Sequence, residues 1–176
     1  MNRHFTLGGR IRASGKQTQY YLDYNGTGQR TVIPYDASMN ITTLTIMAWI
    51  NADPTDIGYI MARGDPVNNS SYYNHYNIYD LATSNRLSFV EDGDGRACAA
   101  NGFPVGDWQH AAITVSGTTA SFYRNASFVS SATIVALTAN PAGDFVIGTE
   151  QAATSSGRAY KGGVYDVRVY EGVLNT

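Results

Sequence analysis

Gly162-Gly163-Val164-Tyr165-Asp166-Val167-Arg168-Val169-Tyr170 is the stretch that decides how this chain folds. Tyr165, Val167 and Val169 alternate with Asp166 and Arg168, so an extended strand would set the first three on one face and the charged pair on the other. Two glycines open the stretch, and Gly148-Thr149-Glu150-Gln151 lies a short way upstream. Together they predict a closing strand beside a loop that carries acid and amide groups.

Working outward, the same period-two pattern returns along the chain. Leu44, Ile46, Ala48 and Ile50 alternate with Thr45, Met47 and Trp49. Tyr20–Tyr24 ends at the turn pair Asn25-Gly26, and Thr31–Ile33 ends at Pro34. Tyr59–Ala62, Tyr76–Tyr79, Arg86–Val90, Trp108–Val115, Ala120–Arg124, Phe128-Val129 and Phe145–Ile147 supply further short strands. Residues 132–137 are ambiguous. No apolar set recurs at helical spacing beyond about two turns. The pattern predicts an all-β fold, a two-sheet antiparallel jelly-roll sandwich.

Composition agrees with a folded, turn-rich chain. Of 176 residues 43% are apolar and 15% charged, and 18 are glycine. One domain over 18–174 is expected, preceded by an arm over 1–17. Arg3, Arg10, Arg12 and Lys16 all precede the first acidic residue, Asp23, and make the arm a candidate for contact with protein neighbours. Four charges without a folded basic face make a weak nucleic-acid footprint, so nucleic acid is not expected as a partner. A single cysteine, Cys98, allows no disulfide within the chain. No apolar run approaches the length of a membrane span, and no signal-type segment follows Met1.

Catalytic chemistry finds little support. Glycoside hydrolysis by paired carboxyls needs two acids held across one bond. The three glutamates, Glu91, Glu150 and Glu171, show no such spacing, and Glu91-Asp92-Gly93-Asp94 reads as a solvated turn. No nucleophile elbow or phosphate loop occurs, and the three histidines are too scattered for a zinc set. His110, two residues after Trp108, is expected to satisfy a hydrogen bond in the core. For ligand binding, the tyrosine- and amide-rich segment holding Asn68, Asn69, Tyr72, Tyr73, Asn74, His75, Tyr76 and Tyr79 offers stacking and hydrogen bonding to a sugar. Asp65 and Asn68 in one loop, and Glu150 and Gln151 in another, are candidates for Ca2+.

These residues carry a resemblance. Leu44-Thr45-Ile46-Met47-Ala48-Trp49-Ile50, Gly106-Asp107-Trp108-Gln109-His110-Ala111-Ala112-Ile113-Thr114 and the closing Asp166-Val167-Arg168-Val169-Tyr170 resemble laminin-G-like, or concanavalin-A-like, jelly-roll domains. The resemblance implies packing roles for Trp49 and Trp108 between the sheets or at a sheet edge. It also implies that Arg168 ties the last strand to a neighbouring loop. Ile147–Gln151 resembles the calcium-binding part of the pentraxins, but Ala152 stands where that motif continues with an acid. A site copied from that family would be incomplete, and its calcium affinity weak or absent. The glucanases' Glu-x-Asp-x-x-Glu strand has no counterpart.

The sequence therefore leads to a non-catalytic surface recognition or structural module. It would be a component of a larger assembly such as a phage or virus particle, or of a homo-oligomer. A carbohydrate-binding lectin is the alternative, and a β-glucan hydrolase stands third.

Overall fold

The computed structural model describes residues 20–55, 58–64, 74–81, 85–91, 94–97, 101–137, 143–149 and 159–174; for Gly64, 74–81, 90–91 and 94–97 it describes the backbone path. The arm over 1–17 lies outside these residues. Among the described residues are twelve strands and one short 3-10 turn, Ala37–Met39. No helix there is long and apolar enough to cross a membrane.

In chain order the strands are β1 Leu22–Asn25, β2 Thr31–Ile33, β3 Leu44–Ala52, β4 Tyr59–Gly64, β5 Asn74–Leu81 and β6 Arg86–Glu91. They continue as β7 Asp94–Ala97, β8 Gln109–Ser116, β9 Thr119–Arg124, β10 Ser127–Thr133, β11 Phe145–Ile147 and β12 Lys161–Glu171. They form two six-stranded antiparallel sheets, ordered β1-β12-β3-β8-β9-β10 and β2-β11-β4-β5-β6-β7. The closing strand is thus internal, flanked by β1 and β3. This is the jelly-roll sandwich that the alternating pattern predicts.

Period-two patterning decides what each strand buries. Leu44, Ile46, Ala48 and Ile50 of β3 point into the sandwich, as do Ile113 and Val115 of β8 and Phe122 of β9. Ile60, Met61, Leu87, Phe89 and Phe145 answer from the other sheet. Both sides of β4 are covered, since Tyr59, Ile60, Met61, Ala62 and Arg63 are all buried. The Arg63 guanidinium donates to Asn40 Oδ1 at 2.5 Å.

The closing strand departs from the simple alternation. Tyr165 pairs with Trp49 and Arg168 with Met47, so Asp166 and Val167 together oppose Ala48 in a β-bulge. Asp166 has φ 54, a left-handed conformation that a short polar side chain tolerates. The extra residue turns Val167 inward and leaves Tyr165 and Arg168 on the outer face. The expectation that Tyr165 shares a face with Val167 and Val169 is corrected here. Sequence spacing alone cannot register an inserted residue.

Strand β7 has no counterpart in the sequence pattern, which shows only a turn over Glu91-Asp92-Gly93-Asp94. Glu91 pairs with Asp94 and Ser88 with Ala97, so β6 and β7 run antiparallel as neighbours.

Candidate functional site

The site is built by register on the outer face of the sheet that contains β12. Asp23 of β1 pairs with Gly163, which pairs with Asn51 of β3. Gln109 pairs with Ile50, which brings Trp108 level with Asn51. One cross-strand row therefore runs Asp23, Gly163, Asn51, Trp108. Two residues along each strand, the next outer row runs Tyr21, Tyr165, Trp49, His110.

The first row contains a gap, because Gly163 has no side chain. A Cβ there would stand 2.6 and 2.7 Å from Cη2 and Cζ2 of Trp108, and 3.2 Å from Tyr21 Cδ2. The missing side chain lets the indole lie across β12. Tyr21 and Tyr165 meet it edge-on, at centroid distances of 5.2 and 5.3 Å. The indole is wedged, yet 37% of Trp108 is exposed.

Beside this wall runs an open groove of about 270 Å³. Tyr21 and Trp108 form its aromatic side, and Asp23, Asn51 and Asp53 its polar side. Gly162, Gly163 and Gly106 leave backbone accessible along it. Gly162 has φ 143, and a Cβ on it would collide with the Asn51 carbonyl oxygen. That position requires glycine.

Asp53 is a fixed anion. Its Oδ1 accepts from the Thr55 backbone N–H at 2.9 Å and from the Thr55 hydroxyl at 2.6 Å. Its Oδ2 meets Lys161 Nζ at 2.9 Å. The Thr55 bonds, then Lys161, hold the carboxyl down from 3.8 to about 2. The Asp53 backbone N–H also donates to the Lys161 carbonyl at 3.0 Å, which ties the groove wall to the start of β12.

The second row is more tightly packed. Trp49 stacks on Tyr165 at 5.7 Å with 7° between planes, and His110 meets Trp49 edge-on at 5.6 Å. Burial lowers the His110 pKa, with the Asp166 charge opposing and the Arg168 charge adding to the shift. The resemblance placed Trp49 and Trp108 between sheets or at an edge; both lie on the outer face, Trp49 half-buried. His110 was expected to serve a core hydrogen bond, but its ring sits on that same outer face. Its backbone N–H donates to Asn125 Oδ1 at 2.9 Å.

Arg168 likewise finds its partner within its own strand rather than in a neighbouring loop. Its Nε and Nη2 each donate to Asp166 at 2.8 Å, one to each carboxylate oxygen. The Asp166 bond, then that to Tyr170, raises the guanidinium pKa further.

None of the described sugar candidates lines this groove. Asn74, His75, Tyr76 and Tyr79 fall on β5, in the other sheet, where Asn74, Tyr76 and Tyr79 pair with β4. Asn68, Asn69, Tyr72, Tyr73, Asp65, Glu150 and Gln151 lie outside the described residues, as do Arg3, Arg10, Arg12 and Lys16. Among the described residues no group of three or more His, Cys, Asp or Glu is placed to hold a metal ion.

The groove residues Tyr21, Asp23, Asn51 and Asp53 were missed by sequence reasoning. Two local signals pointed to them: the Asp53-Pro54-Thr55 turn and the Gly162-Gly163 pair ahead of a strand.

Comparison with known proteins settles the family. A family model described as concanavalin A-like lectin/glucanases superfamily, of laminin G type, matches residues 25–176. The chain belongs to that superfamily.

Solved structures share the fold at low identity. The native heptameric SAP-like pentraxin of Limulus polyphemus is 17% identical, with TM-score 0.64 over 87% of this chain and 76% of that one. The CBM40 of the Ruminococcus gnavus IT-sialidase, bound to alpha2,3 sialyllactose, is 10% identical, with TM-score 0.65 over 85% and 95%. Domain 4 of a GH43 extracellular arabinanase from Geobacillus stearothermophilus, in complex with arabinotriose, is 19% identical, with TM-score 0.65 over 96% and 78%. No curated protein matches the chain in sequence at a significant level.

Proposed function

We propose that this superfamily member is a non-catalytic carbohydrate-recognition module that seats a sugar in the Trp108 groove. The observation that carries the reading is the juxtaposition itself. A wedged, partly exposed indole stands beside Asp23, Asn51 and Asp53 above a glycine floor. Sugars present apolar C–H faces and hydroxyl edges, which such a wall and such a polar side complement. The wedging matters because a side chain already held in place loses little freedom on binding. The arabinotriose and sialyllactose complexes of two structural relatives support the same reading.

Asp53 is poorly suited to act as a general acid, which must carry its proton at the working pH, because the Thr55 bonds and Lys161 favour its charged form. The reading as a component of a phage or virus particle draws on the arm over 1–17, whereas the groove carries the present one.

Isothermal titration against a broad glycan panel, with calcium and with chelator, tests the proposal. Saturable binding that Trp108→Ala weakens roughly tenfold or more is the expected result. No saturable binding in either condition, or binding indifferent to Trp108→Ala, would overturn it. Deleting 1–17 should leave groove binding unchanged; loss of binding would move the site to the arm.

A further inference from the structure

We infer that the groove selects sugars without a carboxylate over sialylated or uronic ones. This rests on the carbohydrate-recognition reading above and adds the charge class of its ligand. Asp23 and Asp53 both line the groove, and among the described residues neither arginine nor lysine does. Beside the groove, among the described residues, stands Lys161, which pairs with Asp53 at 2.9 Å.

Hydrogen-bond type and charge point the same way. An ionised carboxylate only accepts hydrogen bonds, so ligand groups that donate suit Asp23 and Asp53, and groups that only accept do not. Sugar hydroxyls supply them, and the Asn51 amide can both donate to and accept from the remaining hydroxyls. A ligand carboxylate brings acceptors only and sets like charges against each other. Two Thr55 donors and Lys161 keep Asp53 in its charged form, and because the Lys161 ammonium offsets that charge, Asp23, Asp53 and Lys161 together set one net negative charge against the ligand.

The relation to the sialyllactose-binding relative sharpens the point. The fold is shared at 10% identity, but sugar specificity depends on the side chains placed in the site, and here those side chains repel the acid that distinguishes sialyllactose from lactose.

Titration of the full chain with matched pairs tests the inference: lactose against sialyllactose, and a neutral glucan oligosaccharide against its uronic counterpart. A like-charge contact at ~5 Å in water corresponds to roughly a fourfold loss of affinity. The neutral member of each bound pair should therefore win by about that factor at low salt, and by less at high salt.

Asp23→Asn, on an exposed position of β1, should narrow the preference without loss of fold, as read by an unchanged melting temperature. An acidic member that binds equally or more tightly would overturn the charge selection while the recognition reading stands. Neutral preference that persists undiminished in Asp23→Asn and Asp53→Asn would overturn its assignment to these carboxylates. A panel in which no member binds overturns both readings together.

Discussion

The two faces of the sheet that contains β12 are made by the same strands and obey different chemistry. The inner face is aliphatic and closed, with Leu44, Ile46, Ile113, Phe122 and Val164 fully buried. The outer face carries Trp49, Tyr165, His110, Arg168 and Asp166, and then the Trp108 groove. Alternation sends neighbouring residues to opposite fates: Ile50 goes to the core, and Asn51 to the groove wall. The difference teaches that stability and recognition are separated here by a single residue step, so substitutions on the two faces should come apart experimentally.

The sharpest break should come from the inner face. Phe122→Ala removes a fully buried ring and is expected to cost about 3–5 kcal/mol, read by denaturant unfolding. Below the unfolding transition its groove affinity should match the native chain. If affinity fell in step with stability, the two faces would not be separable.

Gly163→Val tests the opposite case. Its side chain would occupy the space under the Trp108 indole. Sugar affinity should fall roughly tenfold, with a stability loss of about 1–3 kcal/mol from overpacking. Retained binding would mean that the indole's placement is immaterial.

Trp49→Ala should lie between these extremes. It removes the stack on Tyr165 and the edge contact with His110, for about 1–2 kcal/mol in thermal unfolding. Arg168→Ala should do less, under about 1 kcal/mol, because its bidentate pair with Asp166 is partly exposed and lies within one strand. A larger loss would show that the bulge at Asp166 depends on that pair.

The smallest effect concerns pH. Because the folded-state pKa of Asp53 is depressed, its contacts stabilise the fold above the ordinary carboxylate range, and that contribution fades as pH falls from 3.8 to about 2. The difference in Tm between the native chain and Asp53→Asn should therefore be constant at neutral pH and vanish at the acid end. A difference that grew on acidification would reverse the assignment.

Much of the fold was legible because period-two patterning is a local property. Leu44–Ile50 showed which residues face inward, and Asn25-Gly26 marked a bend that the structure keeps. Two features escaped. The strand Asp94–Ala97 has no apolar alternation of its own and is held by pairing with β6. The bulge at Asp166 leaves no mark in an otherwise regular strand, yet it decides that Tyr165 and Arg168 share a face.

The candidate site was far less legible. Asp23, Asn51, Trp108 and Gly163 are separated by long stretches of chain and meet only through antiparallel register. The sugar candidates favoured by sequence clustered around 68–79 because proximity in sequence was the only proximity visible there.

The sequence by itself determined an all-β sandwich, since alternation between apolar and polar residues fixes which side of each strand must leave water. Only the tertiary structure decided which outward residues become neighbours. Strand order and register are long-range choices, and they alone lay an indole across a glycine next to two carboxylates.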